Sequence, residues 1–252
     1  MKIIYFLFLL PFMCDAQINR VDYYFRTNNK IDTTGIRTFL IFDTNISVYI
    51  HNSINSNIKN EIGESDDVDI KLVRRIRDTI GFRVYNNFED DSISVLDKID
   101  TKRYSFKEDK TIEWELFDDF KEIGGLNCQL ARTMFRGRKF DVWFTSSIPI
   151  SSGPWKLNGL PGLILEVEDS LKQVSFKLKS ISYEEDVNVF FEDFTIKASN
   201  TTLKKFVEKK DNLAQHYLKE TLAKLPRNAR GDVVSSTSRM GIELSYEWEE
   251  EK

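Results

Sequence analysis

Arg136, Arg138 and Lys139 crowd around Gly137, and two guanidinium forks with an ammonium at a chain reversal are suited to holding a phosphate, a carboxylate or an acidic partner. Charged hairpin tips are also commonly just solvated. On that second reading, truncating Arg136 and Arg138 leaves stability almost unchanged. Arg132, close by in sequence, is a further member of the same patch. Trp155, after Gly153 and Pro154, is either an exposed aromatic platform for a ligand or a plug into the core, and its large apolar area favours the plug. Glu166 and Glu168 stand two apart, so on a strand they share a face where paired carboxylates serve as acid and base. Lys177 and Lys179, on what reads as the next strand, make them more simply cross-strand charge partners.

The other reactive types are scarce. His51 and His216 are the two histidines, and no His-x-His, Cys-x-x-Cys or His-Glu-x-x-His spacing exists to build a metal site, so no metal and no cofactor is expected. Cys128 on an alternating segment reads as a small buried hydrophobe. No Gly-x-Ser-x-Gly elbow, phosphate loop or dinucleotide fingerprint is present, and no catalytic residue is nominated. The net charge of −4 is spread evenly, without a basic stripe, which argues against a nucleic-acid partner.

The elements that must position these residues are mostly strands. Residues 21–25, 37–42, 46–50, 82–85, 93–96, 103–107, 112–116, 128–135, 139–145, 163–168 and 174–179 alternate apolar with polar residues between polar turns, the period of antiparallel strands with one dry face. Residues 52–69, rich in Asn, Ser, Asp and Glu, read as a long loop. One long helix is expected from Leu203 to Leu225, capped within residues 200–202 and ended by Pro226, with an apolar stripe that should cover the dry face of the sheet. Ile242, Leu244, Tyr246 and Trp248 alternate again and suggest a final strand. The fold class is therefore mainly β with one long C-terminal helix, an α+β arrangement on an antiparallel meander.

Between the strands ending at 145 and starting at 163 the chain is punctuated by proline and glycine. Three of the four prolines beyond residue 16 lie between 149 and 161. Leu160-Pro161-Gly162-Leu163 has proline and glycine where a type II turn wants them, so Gly162 is expected at positive φ. A loop fixed this firmly is a candidate support for an interaction surface.

The amino terminus carries Lys2, an apolar run from Ile3 to Leu10, Pro11 and a small-residue end at Ala16. This is the pattern of a secretory signal over residues 1–16, too short for the roughly 20 residues of a membrane span. Residues 17–252 then form a single exported domain without a transmembrane span, periplasmic or extracellular. Cys128 would remain the sole cysteine, with no intrachain disulfide. A lipid on Cys14 is the lesser alternative, because Phe12 and Met13 are bulky for a lipobox.

Phe135 to Arg138, Val142 to Thr145, Ile148 to Trp155 and the hexad Gly159, Leu160, Pro161, Gly162, Leu163, Ile164 together resemble the GLPGLI family of exported Bacteroidota proteins, named for that hexad. Gly125 to Ala131 is similar to the family's upstream cysteine segment, and the likeness runs over residues 112–181. It implies an envelope-directed protein and transfers no catalytic residue. The pattern also looks like the lipoprotein-carrier fold, a curved half-barrel closed by helices, though fold analogy does not establish function. Three functions are thereby in play. The first is a non-enzymatic interaction or accessory protein meeting an envelope partner, and the second a carrier of an apolar ligand between curved sheet and helix. An enzyme is third.

Overall fold

The alternating segments pair into one open sheet of twelve strands in the computed structural model of the protein. The structure describes residues 19–27, 36–53, 81–108, 111–184, 198–224, 239 and 241–249. The expected signal segment 1–16 with Cys14, the loop from residue 54 onward, and Leu225 with Pro226 lie outside them. The strands are β1 (Arg20–Thr27), β2 (Ile36–Phe42), β3 (Ile46–Ser53), β4 (Phe82–Asn87), β5 (Ser92–Ile99) and β6 (Lys102–Glu108) in one meander. A second meander holds β7 (Glu115–Ile123), β8 (Leu126–Phe135), β9 (Arg138–Thr145), β10 (Leu163–Asp169) and β11 (Val174–Ser182). The two join where β1 pairs antiparallel with β11. A two-residue β12 (Ser199–Asn200) adds in parallel to β6 and delivers the chain to helix α1 (Leu203–Lys224). Among the described residues no helix is long and apolar enough to cross a membrane.

The sheet is a curved half-barrel rather than a closed one. Register shifts at Asp22/Tyr23 in β1, Leu116/Phe120 in β7 and Ile164/Glu166 in β10 bend it, as bulges do. Its inward face carries the main core, including Val21, Tyr49, Val95, Phe106, Phe140, Phe144 and Phe176. The outward face of β2 to β5 is also apolar, with Phe39, Ile41, Val48, Ile50, Tyr85 and Leu96 in a second cluster. Cys128 is fully buried, and burial pushes its thiol up to about 11. β7 begins later than the alternation at 112–116 implied and runs on to Ile123. Its polar Asp118, Asp119 and Glu122 hid it from the sequence pattern because it is the edge strand, exposed along most of its length.

The proline-rich loop 148–162 folds into the half-barrel. Ser152 to Leu157 are all buried, so the loop presents its aromatic and apolar side chains to the core and not to a surface. Hydrogen bonds fix it to strands on both sides. The Leu163 and Ile164 N–H groups donate to the carbonyls of Ile148 and Ser152 at 3.0 Å each. Tyr23 Oη donates to the Ile164 carbonyl at 2.7 Å, and Ser47 Oγ lies 2.8 Å from Ser152 Oγ. The expected positive φ falls elsewhere: Gly159 has φ 90° and Trp155 φ 60°, while Gly162 is not in that region. Gly162 is needed for space, since a Cβ there would sit 2.1 Å from the Thr145 carbonyl oxygen. Gly153 likewise abuts Ile164, with 2.6 Å between an added Cβ and the Ile164 Cβ.

Helix α1 starts at a Thr202 cap, whose Oγ1 accepts the Lys205 N–H at 3.3 Å. Only its first turns reach the sheet: Phe206 and Val207 are buried, with Phe206 edge-on to Tyr104 at 5.8 Å and tilted against Phe106 at 4.8 Å. The stripe was expected to cover the dry face throughout, but Leu213 and Leu218 are only half-buried and Tyr217 is 40% exposed. Leu218→Ala is accordingly expected to cost less than about 1 kcal/mol in chemical denaturation, near the range of surface sites. A loss near the 2–5 kcal/mol of a buried leucine would mean that the helix lies flat on the sheet.

The carboxyl-terminal alternation does not make a strand. Residues 243–246 are irregular and Glu247–Glu249 form one 3-10 turn. The reason lies in where the backbone bonds go. The Leu244 N–H donates to the Arg136 carbonyl at 3.0 Å, and the Gly241 and Ile242 carbonyls accept from the Arg138 guanidinium at 2.7 and 3.0 Å. A hairpin turn, not a strand edge, holds this segment.

Candidate functional site

Because α1 meets the sheet only at its start, a cavity of about 830 Å³ opens between its remaining turns and the inward face. Its floor is aromatic. Phe25, Tyr49 and Phe82 line it, with Tyr49 edge-on to Phe82 at 6.3 Å and Phe25 stacked on the core residue Phe176 at 4.6 Å. Trp155 closes one end, Val207, Ala214 and Leu218 form the roof, and Ile242, Leu244 and Tyr246 of the carboxyl-terminal segment make a wall. The volume and the apolar floor suit a drug-sized or short-chain amphiphilic molecule.

Two polar residues occupy inward positions on this floor. In β5 the inward series is Ile93, Val95, Asp97, and Asp97 is paired in register with Tyr104 of β6. Burial raises the Asp97 carboxyl above its usual range, against the opposing pull of Lys210, the Lys98 N–H and Lys156; Glu243 adds to the rise. Among the described residues its nearest cation, Lys210 Nζ on α1, is 3.8 Å away and that side chain is 62% exposed. His51 follows Tyr49 on the inward face of β3. It sits edge-on to Phe25 at 5.1 Å, and burial lowers it to about 4, so it is neutral at pH 7.

At the Trp155 end lies a charged cluster. Arg136, at φ 46° beside Gly137 at φ 80° in the β8–β9 turn, does not point to solvent. Its guanidinium holds Glu108 in a two-pronged pair, with Nη1 to Oε2 at 2.8 Å, and also binds Glu243 and, at 3.3 Å, Glu247. Lys156 Nζ bridges the same two acids at 3.0 Å to Glu108 and 2.8 Å to Glu243. Burial alone would raise the Glu243 carboxyl; Lys156 and Arg136 override it and hold it down to about 2. Arg138 Nη1 pairs with buried Asp169 at 2.6 Å, and Arg239 ties Asp211 of α1 to Glu249 at 2.6 Å each. These pairs clamp the carboxyl-terminal wall to the hairpin, the loop and the helix. Each acid of the cluster is committed to a cation, an arrangement that holds structure.

The expected anion patch is thus divided. Arg136 and Arg138 are buried and paired with carboxylates, which corrects the solvated-tip reading, while Lys139 is exposed. Arg132 pairs with Asp141 at 2.8 Å and lies over Phe117, away from the buried pair. Trp155 is buried, edge-on to Phe135 at 5.6 Å, as its size suggested, yet one side of it borders the cavity. Glu166 stands opposite Lys177 in register, but its ion pair is with Lys121 Nζ of β7 at 2.5 Å. The sequence reading missed Glu108, Lys156, Glu243, Asp97 and Arg239. Among the described residues no group of three or more His, Cys, Asp or Glu side chains is placed to hold a metal ion.

A family model described as a protein of unknown function (Porph_ging) matches residues 136–166, from the β8–β9 turn through the loop into β10. No curated protein matches the chain. Two solved structures of PNGF-II, in space groups P21 and C2, are similar with a TM-score of 0.53 and 14% identity over 77% of this chain. The chain spans about a third of their length, 33% and 32%. The likeness is one of fold.

Proposed function

We propose that this chain is an exported binding protein of the GLPGLI type that carries an apolar or amphiphilic ligand in the cavity between the half-barrel and α1. The family part of the reading is supported by the match over residues 136–166, which contains the whole hexad, and by the sequence pattern of residues 1–16. The observation that carries the binding part is the 830 Å³ space with an aromatic floor, roofed by a helix whose stripe is only partly used. The other reading, an interaction surface on loop 148–162, is less favoured because Ser152 to Leu157 face inward.

N-phenyl-1-naphthylamine, an uncharged fluorophore, is the direct probe. Saturable enhancement is expected with a dissociation constant in the micromolar range, about −8 kcal/mol. Leu218→Trp, which fills the cavity from the helix side, should weaken it about tenfold or more without lowering the melting temperature. Absence of saturable binding, or binding indifferent to Leu218→Trp, would remove the carrier reading.

A further inference from the structure

We propose that the cavity selects an amphiphile whose polar end is a cationic nitrogen, seated against the Asp97 carboxylate and the rings of Phe82 and Tyr49. The inference rests on the carrier reading and adds the charge of the ligand. Asp97 interrupts an otherwise apolar inward row, Ile93, Val95 and Ile99, where a carboxylate is costly to bury without a counter-ion. Register sets Tyr104 on one side of it. One step past the Arg83–Leu96 pair sets Phe82 on the other. Among the described residues the Lys98 N–H donates to one carboxylate oxygen at 2.7 Å and the paired cation is Lys210, 3.8 Å away and mostly in solvent, a weak ion pair.

Anions fare differently. The cavity's described cations are Lys210 and Arg239, and Arg239 is already held by Asp211 and Glu249. Glu243 takes its two cations from Arg136 and Lys156 at the cavity's end. A carboxylate head group would therefore enter beside Asp97 against its charge, and would have to share the loosely held Lys210 with it. An ammonium there completes the Asp97 pair and gains from the ring faces. The protein's own lysines show the same preference at this corner, with Lys209 Nζ 4.9 Å from the Tyr104 ring centre and Lys210 Nζ 5.8 Å from that of Phe206. The raised Asp97 carboxyl is what an under-compensated site of this kind gives.

Three ligands of one chain length test it: decylammonium, decanol and decanoate, each displacing N-phenyl-1-naphthylamine from the full chain at pH 7. Decylammonium is expected to bind about tenfold or more tighter than decanoate, a difference of about 1.4 kcal/mol, with decanol between. Asp97→Asn should bring decylammonium to within about twofold of decanol while changing decanol's own displacement far less, a charge-selective loss that a merely structural role for Asp97 would not produce. Lys210→Ala, at a side chain 62% exposed, keeps the question open to test should Asp97→Asn fail to fold. Freed of the competing lysine, Asp97 should then hold decylammonium roughly threefold tighter. Decanoate binding as tightly as decylammonium, an undiminished ammonium preference in Asp97→Asn, or no gain in Lys210→Ala would overturn the proposal while leaving the carrier reading standing. Failure of every probe, the fluorophore included, would overturn both.

Discussion

Arg136→Ala is expected to cost about 3 to 5 kcal/mol in urea denaturation, the loss typical of breaking a buried ion pair by removing one member. The guanidinium is 1% exposed and so is the carboxylate of Glu108, which would keep only Lys156. The carboxyl-terminal segment would at the same time lose its Glu243 and Glu247 contacts. Lys139→Ala, two residues beyond the turn glycine and exposed, should change stability by less than about 0.5 kcal/mol. Removing both charges together, as in Arg136→Met with Glu108→Leu, should return part of the loss, because it leaves no uncompensated ion in the core. An Arg136→Ala loss below about 1 kcal/mol would mean that the hairpin is solvated after all. The cluster also sets an acid limit. Glu243 titrates at about 2 when folded against 4.5 for the free group, so its contribution is fully present above pH 4.5 and fades as pH falls through 2. Acid unfolding of the wild type should steepen in that window, and Lys156→Met, which removes the largest opposing charge on Glu243, should move the onset to higher pH.

The sheet was legible because its strands obey one rule: a dry face toward the core. Where that rule held, as in Phe140, Val142 and Phe144, strand limits followed within a residue. It hid β7, an edge strand with little to bury, and it mislabelled residues 242–248, whose alternation answers to Arg136 and Arg138 rather than to a neighbouring strand. The site was legible only in hindsight from exceptions to the same rule. His51, Asp97 and Glu108 each stand at an inward position after Tyr49, Val95 and Phe106, and a polar residue in a dry row is the signal that could have found them. Glu243 and Arg239 gave no such signal, because their roles depend on long-range placement of an irregular segment. Arg136 and Arg138 were visible as cations but not as buried ones, since their carboxylate partners Glu108, Asp169 and Glu243 lie 28, 31 and 107 residues away. Charge pattern read locally cannot see such pairs.

The hexad separates two kinds of reason for a glycine, and Gly162→Ala is the substitution on which they part. A Cβ at Gly162 meets the Thr145 carbonyl oxygen at 2.1 Å and its carbon at 2.7 Å, both backbone atoms of the residue that pairs with Leu163 to begin the β9–β10 ladder. Nothing there is a flexible side chain that could swing away, so the strands must part or the loop must lift. The cost should exceed the 1–3 kcal/mol usual for overpacking and reach about 4 kcal/mol, close to loss of the fold for a marginally stable domain. Had the glycine been needed for positive φ, asparagine, which enters that region more readily than alanine, would be the milder replacement. With space as the constraint, Gly162→Asn should be at least as damaging as Gly162→Ala. Gly159 reverses the order. It has φ 90° and its nearest neighbour, Trp114 Nε1, is at 3.4 Å, so Gly159→Asn should cost only about 1 kcal/mol and less than Gly159→Ala. Thermal unfolding of the four variants reads the result directly. A Gly162→Asn protein clearly more stable than Gly162→Ala would restore the turn-conformation account and undo the packing one. The predicted opposite orders at 159 and 162 would assign the hexad's two glycines to different tasks, the first to turn the chain and the second to let β10 start against the end of β9.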